Sequence, residues 1–111
     1  VTIPNENNAH YGTNGGEDTT DKIYLLSQNE VSAYFPDRAS RQARPTAYAK
    51  ARGAYVNKAD GDAWWWLRSP GVRTIDACGV SAYGNVTGYG SRDVNRPSGA
   101  IRPVMWIETG E

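Results

Sequence analysis

Three consecutive tryptophans, Trp64 to Trp66, set the terms on which this chain can fold. The chain has 111 residues with one Phe, one Met and few Leu or Ile, so tryptophan supplies its largest apolar surfaces. Burying one indole side chain removes on the order of 150–250 Å² from water. A chain this short buries a smaller fraction of its surface than a larger domain does and has little apolar surface to spare. Neighbouring side chains of a strand point to opposite faces. In "WWWLRS" this puts Trp64 and Trp66 on one face and Trp65 on the other. Trp64 and Trp66 are therefore read as core, in preference to a stacking platform for sugar rings, and the side taken by Trp65 stays open.

The residues before the tryptophans carry helix signals. Residues 1–20 are rich in Asn, Gly, Thr and acid and read as a loop-rich lead. Ile23 to Leu26 is an apolar run long enough for one buried strand. Ser27 with Glu30 forms a capping box, so a helix is expected from Gln28, with Val31, Tyr34 and Phe35 on one face and Pro36 ending it. Asp37 can cap a further turn through Ala43, and Thr46 can cap "AYAKARG", which Gly53 stops. After Ala54 the pattern changes. "WWWLRS" reads as strand, "ACGVSAYGNVTGYG" as short alternating strand broken by glycine turns, and "AIRPVMWI" as a closing strand with an edge or bulge at Pro103. Helices followed by strands argue for an α+β domain, with two or three short helices and then a small, mostly antiparallel sheet.

Several functions are excluded or made unattractive by composition. Twelve basic residues balance twelve acidic ones, which gives no electrostatic case for nucleic acid or an anionic membrane. No apolar run approaches the roughly 18 residues of a membrane-spanning helix, so insertion by this segment is not expected. One cysteine and one histidine, Cys78 and His10, cannot build a thiolate cluster or a histidine metal site. Asn57, Asp60 and Asp62 surround a glycine, but their spacing lacks the EF-hand pattern, and an Asx-rich turn is the commoner meaning. Ser69 has no neighbouring base, and Cys78 has no evident activating partner. Neither catalysis nor a cofactor is expected from these residues.

The segment 72–99 has a different texture. Ala77, Val80, Gly84, Val86, Gly90, Val94 and Gly99 recur as a small or apolar frame, with Arg73, Thr74, Ile75, Asp76, Ser81, Tyr83, Asn85, Thr87, Tyr89, Ser91, Arg92, Asp93, Asn95, Arg96 and Ser98 between them. Tyr, Ser, Asn, Arg and Gly favour binding loops because they combine low entropy cost with adaptable hydrogen bonding. Composition alone balances that reading against an ordinary solvated loop.

"TTDKIYLLS", "PTAYAKARGAYV", "WWWLRSPG" and "GAIRPVMWI" resemble an uncharacterised domain family of gut Firmicutes-type bacteria, known as a domain of unknown function. The resemblance spans nearly the whole chain. It implies a single domain over 1–111 that forms the later portion of a larger domain or protein. The W…RSPG…G…RP ending is more distantly similar to the C-type-lectin-like fold of formylglycine-generating enzymes and of variable proteins of diversity-generating retroelements. That similarity implies a compact scaffold with long loops on one face, and residues 72–99 as the ligand-display segment.

Taken together, the expectation is a non-enzymatic module that binds a protein or glycan ligand through the 73–98 face. Arg73, Thr74, Ile75, Asp76, Tyr89, Ser91, Arg92, Asn95 and Arg96 are the expected contacts. Trp64, Trp66, Arg68, Arg102 and Trp106 are expected to hold that face rigid. The alternatives are an enzyme of the formylglycine-generating type acting through Cys78, and a structural module whose loop face is covered by another copy or by the preceding portion of its own precursor. A cell-surface or extracellular location fits the full-length protein.

Overall fold

The computed structural model describes residues 1–73, 75–86, 97–107 and the backbone of 92–93. Local sequence decides the helices. Helix α1 spans Gln28–Tyr34: Ser27 Oγ accepts from the Glu30 N–H while a Glu30 carboxylate oxygen accepts from the Ser27 N–H. Helix α2, Arg38–Arg41, begins under the Asp37 carboxylate and stops two residues short of the expected Ala43. Helix α3, Ala47–Ala51, is capped by Thr46 and ends toward Gly53, whose φ of +98° is the left-handed geometry that glycine adopts most easily.

Two small antiparallel sheets complete an α+β fold. Strand β1 (Thr2–Ile3) pairs with β2 (Thr19–Thr20) and closes the N-terminal lead into a ring. Buried Asn8 pins that ring to the rest of the molecule, donating from Nδ2 to the Pro70 carbonyl at 2.7 Å and accepting from the His10 and Tyr11 N–H groups. The second sheet has the order β3-β4-β5, from Trp65–Pro70, Asp76–Val80 and Arg92–Asp93. Its register pairs Trp65 with Val80 and Trp66 with Gly79, and an irregularity follows before Pro70 meets Ala77.

The tryptophan strand is buried on both faces. Trp65 and Leu67 join Leu26, Val31, Cys78 and Val80 in the main core under α1. Trp65 is only 1 % exposed, and its indole N–H donates to the Arg41 carbonyl at 3.0 Å. The side left open by the sequence is thus the principal core. Trp64 and Trp66 pack edge to face on the other side, ring centroids 4.7 Å apart, and are buried as well.

Two expected strands are corrected. Ile23–Leu26 makes one antiparallel bridge, Tyr24 to Val104, and Ile23 itself is exposed. The C-terminal "AIRPVMWI" is held by that bridge and by a parallel one from Ala100 to Trp65. Pro103 has no N–H to add a rung between them, which keeps a continuous ladder from forming.

Candidate ligand-binding site

The residues expected to hold the scaffold occupy different settings. Arg68 is an internal cross-link: it forms an ion pair with Glu30 and donates to the carbonyls of Leu25 and Pro4, both at 2.8 Å. Burial pushes the Glu30 carboxyl upward, but hydrogen bonds from Arg68 and Ser27 outweigh it and hold the group below the ordinary glutamate range. Arg102 lies between two rings, its guanidinium carbon 4.9 Å from the Phe35 centroid and 5.0 Å from that of Trp65. Such cation–π contacts contribute about 0.5–2 kcal/mol. Its Nη1 is buried without a hydrogen-bond partner among the described residues. Trp106 departs from the expectation, being 63 % exposed. It lines an apolar groove of about 280 Å³ with Tyr24, Tyr34, Phe35 and Met105 rather than packing inside.

The expected contact residues divide between two places. Arg73 and Ile75 are exposed in the turn between β3 and β4, while Asp76, which opens β4, is buried. Its carboxylate accepts from Arg73 Nε at 2.9 Å and Nη2 at 3.1 Å, so Asp76 acts inward as an anchor rather than as an open contact. The backbone of Arg92 pairs with Ala77, which brings it to the same end of the sheet. Thr74, Tyr89, Ser91, Asn95 and Arg96 lie outside the described residues, as does the Arg92 side chain.

At the other end of β4, roughly 16 Å away at about 3.3 Å per residue, the chain opens a cleft of about 300 Å³. Tyr55, Asn57, Trp64, Ser81, Ala82, Tyr83 and Ser98 line it, and none of them is charged. Ser81, Tyr83 and Ser98 come from the segment marked for display, whereas Tyr55 and Asn57 come from the loop after α3; the sequence marks Asn57 only as part of an Asx-rich turn and does not single out Tyr55. The two walls are tied by the Tyr55 N–H, which donates to the Ser98 carbonyl at 2.9 Å.

The Asn57 to Asp62 loop is an Asx-type turn. Asn57 Oδ1 accepts from the Ala59 N–H at 2.8 Å, Asp60 Oδ1 from the Asp62 N–H at 2.9 Å, and Gly61 supplies a positive φ of +80°. Among the described residues no group of three His, Cys, Asp or Glu side chains is arranged to hold a metal ion.

Cys78 faces inward from β4. Its thiol is fully buried, donates to the Pro70 carbonyl at 3.3 Å and accepts a weak hydrogen bond from Asn8. Burial pushes its pKa up to about 11, against a smaller lowering by Asn8. The thiolate that nucleophilic chemistry needs is scarce there at neutral pH.

Residues 1–109 match the family described as "Domain of unknown function (DUF6273)", and the chain belongs to that family. No curated protein matches it, nor does any solved structure. No helix among the described residues is long and apolar enough to cross a membrane.

Proposed function

We propose that the chain is a non-enzymatic binding module whose ligand, a protein or a glycan, is met by residues 73–98 and by the cleft beside them. One observation carries this reading: Ser81, Tyr83 and Ser98 of the display segment line an open, aromatic cleft beside the buried tryptophan strand, with no charged residue among its described lining. Preformed concave sites with aromatic walls and a few polar groups are where small ligands and side chains bind. The turn at Arg73 adds a cation oriented by buried Asp76, and Arg92 belongs to the same end of the sheet. A C-type-lectin-like scaffold and diversification by a retroelement are finer parts of the proposal. They are supported by the resemblance of the W…RSPG…G…RP ending.

The alternative of an enzyme working through Cys78 is disfavoured by the burial and raised pKa of its thiol. The assembly alternative has a natural surface in the Tyr24–Trp106 groove, and the solution mass of the isolated chain would reveal it. Binding itself is tested on arrays of immobilised peptides and glycans. Replacing both Arg92 and Arg96 by Ala is expected to abolish the array signal and leave the melting temperature unchanged. Equal loss of signal and of folding would contradict the assignment of these residues to the ligand face.

A further inference from the structure

We propose that the Tyr55–Tyr83 cleft is a subsite for a neutral saccharide, an inference that rests on the binding reading above and names its ligand class. The argument starts from Asn57. The residue is 5 % exposed, and its turn already uses three of its polar groups: Oδ1 accepts from Ala59, the backbone N–H donates to Asp62, and the carbonyl accepts from Gly61. Its Nδ2 donors have no hydrogen-bond partner among the described residues. An amide whose oxygen is fixed by its own turn holds these donors in a set position at the edge of the cleft, where they can donate to an acceptor bound there.

Ser81 repeats the pattern on the opposite wall. Its Oγ accepts from the N–H groups of Tyr83 at 3.3 Å and Asn85 at 3.1 Å, which fixes the oxygen and leaves its O–H to donate. The hydroxyls of Ser98, Tyr55 and Tyr83 likewise make no hydrogen bond to a described residue, and each can donate or accept. Three rings, Tyr55, Trp64 and Tyr83, supply flat apolar surface, with both tyrosines about half exposed and so accessible.

This donor set selects a chemistry. A phosphate, carboxylate or ammonium would lose hydration and find no counter-charge among the described lining residues, which is costly. A purely apolar ligand would leave the Asn57 amide and the Ser81 hydroxyl unpaired. A pyranose satisfies both halves: its hydroxyls can accept from Asn57 and Ser81, and its C–H face can lie against the negative face of a tyrosine ring. The volume of about 300 Å³ is at the small end for ligand pockets and accommodates about one or two such rings.

The test is a titration of the chain with methyl glycosides of glucose, galactose, mannose and N-acetylglucosamine and with their disaccharides. Glucuronate, glucosamine and adenosine serve as acidic, cationic and non-sugar controls, and calorimetry is the readout. The expected result is that at least one neutral saccharide binds and the charged sugars bind more weakly. Tyr55→Ala and Tyr83→Ala, each removing an exposed ring from one wall, should each weaken binding about tenfold with no change in melting temperature. Asn57→Asp keeps the turn acceptor but removes the amide donors and should weaken binding similarly. Binding of adenosine alone, saccharide binding insensitive to both tyrosines, or no saccharide binding at tens of millimolar would overturn the assignment. If array ligands are still lost on replacing Arg92 and Arg96, only the saccharide assignment falls; if they too are absent, the binding reading falls with it.

Discussion

Gly99 shows how little room the frame leaves. A Cβ added there would lie 2.6 Å from Trp64 Cη2 and would collide with Trp66 Nε1 as well. Its role is space rather than backbone freedom: the C-terminal segment must pass against the Trp64–Trp66 pair to let Ala100 exchange hydrogen bonds with Trp64 and Trp66. Gly99→Ala is therefore expected to cost about 1–3 kcal/mol, the usual cost of overpacking, read as a lower urea midpoint with altered tryptophan fluorescence. An unchanged midpoint would mean that the two indoles shift without penalty. Gly79 is less crowded, with Trp64 Cε3 at 3.6 Å from the equivalent position, although the Trp65 carbonyl approaches to 3.0 Å.

Among the elements, the junction of α1 with β3 concentrates the polar energetics. Arg68 reaches from β3 to Glu30 in α1 and to the carbonyls of Leu25 and Pro4, so one guanidinium joins strand, helix and N-terminal lead. Because the folded Glu30 pKa is depressed, its stabilising contribution is complete above the ordinary glutamate pKa. It is lost as pH falls through the lower folded value. As pH falls through and below the ordinary glutamate range, wild type should lose stability more steeply than Glu30→Gln, in urea unfolding followed at each pH. Parallel curves for the two proteins would remove Glu30 from the acid response. The helix starts were legible in the sequence because caps are local: Ser27, Asp37 and Thr46 each bond within three residues. The bridges of Tyr24 and Ala100 were not legible, since each depends on a partner far along the chain. Alternation placed Trp65 opposite Trp64 and Trp66 but could not show that its face is also core, because both faces of its strand are covered. The cleft was half visible: Ser81, Tyr83 and Ser98 lay in the marked segment, but Tyr55 and Asn57 join them only through the fold.

At the scale of the whole molecule, apolar surface has been spent on one strand. Trp64, Trp65, Trp66 and Leu67 anchor both layers, and the N-terminal ring, helices α1 and α2 and the C-terminal segment are each attached to that strand by hydrogen bonds. The division between frame and face is tested most directly by chemical-shift mapping of the isotope-labelled chain with a ligand selected from the arrays. The predicted shifts fall on the amides of 81–83, 92–96 and 98 and on the Trp64 indole N–H, with Trp65 and the Tyr24–Trp106 groove unmoved. Shifts confined to that groove, or spread evenly through the tryptophan strand, would contradict a rigid frame that binds through the 73–98 face.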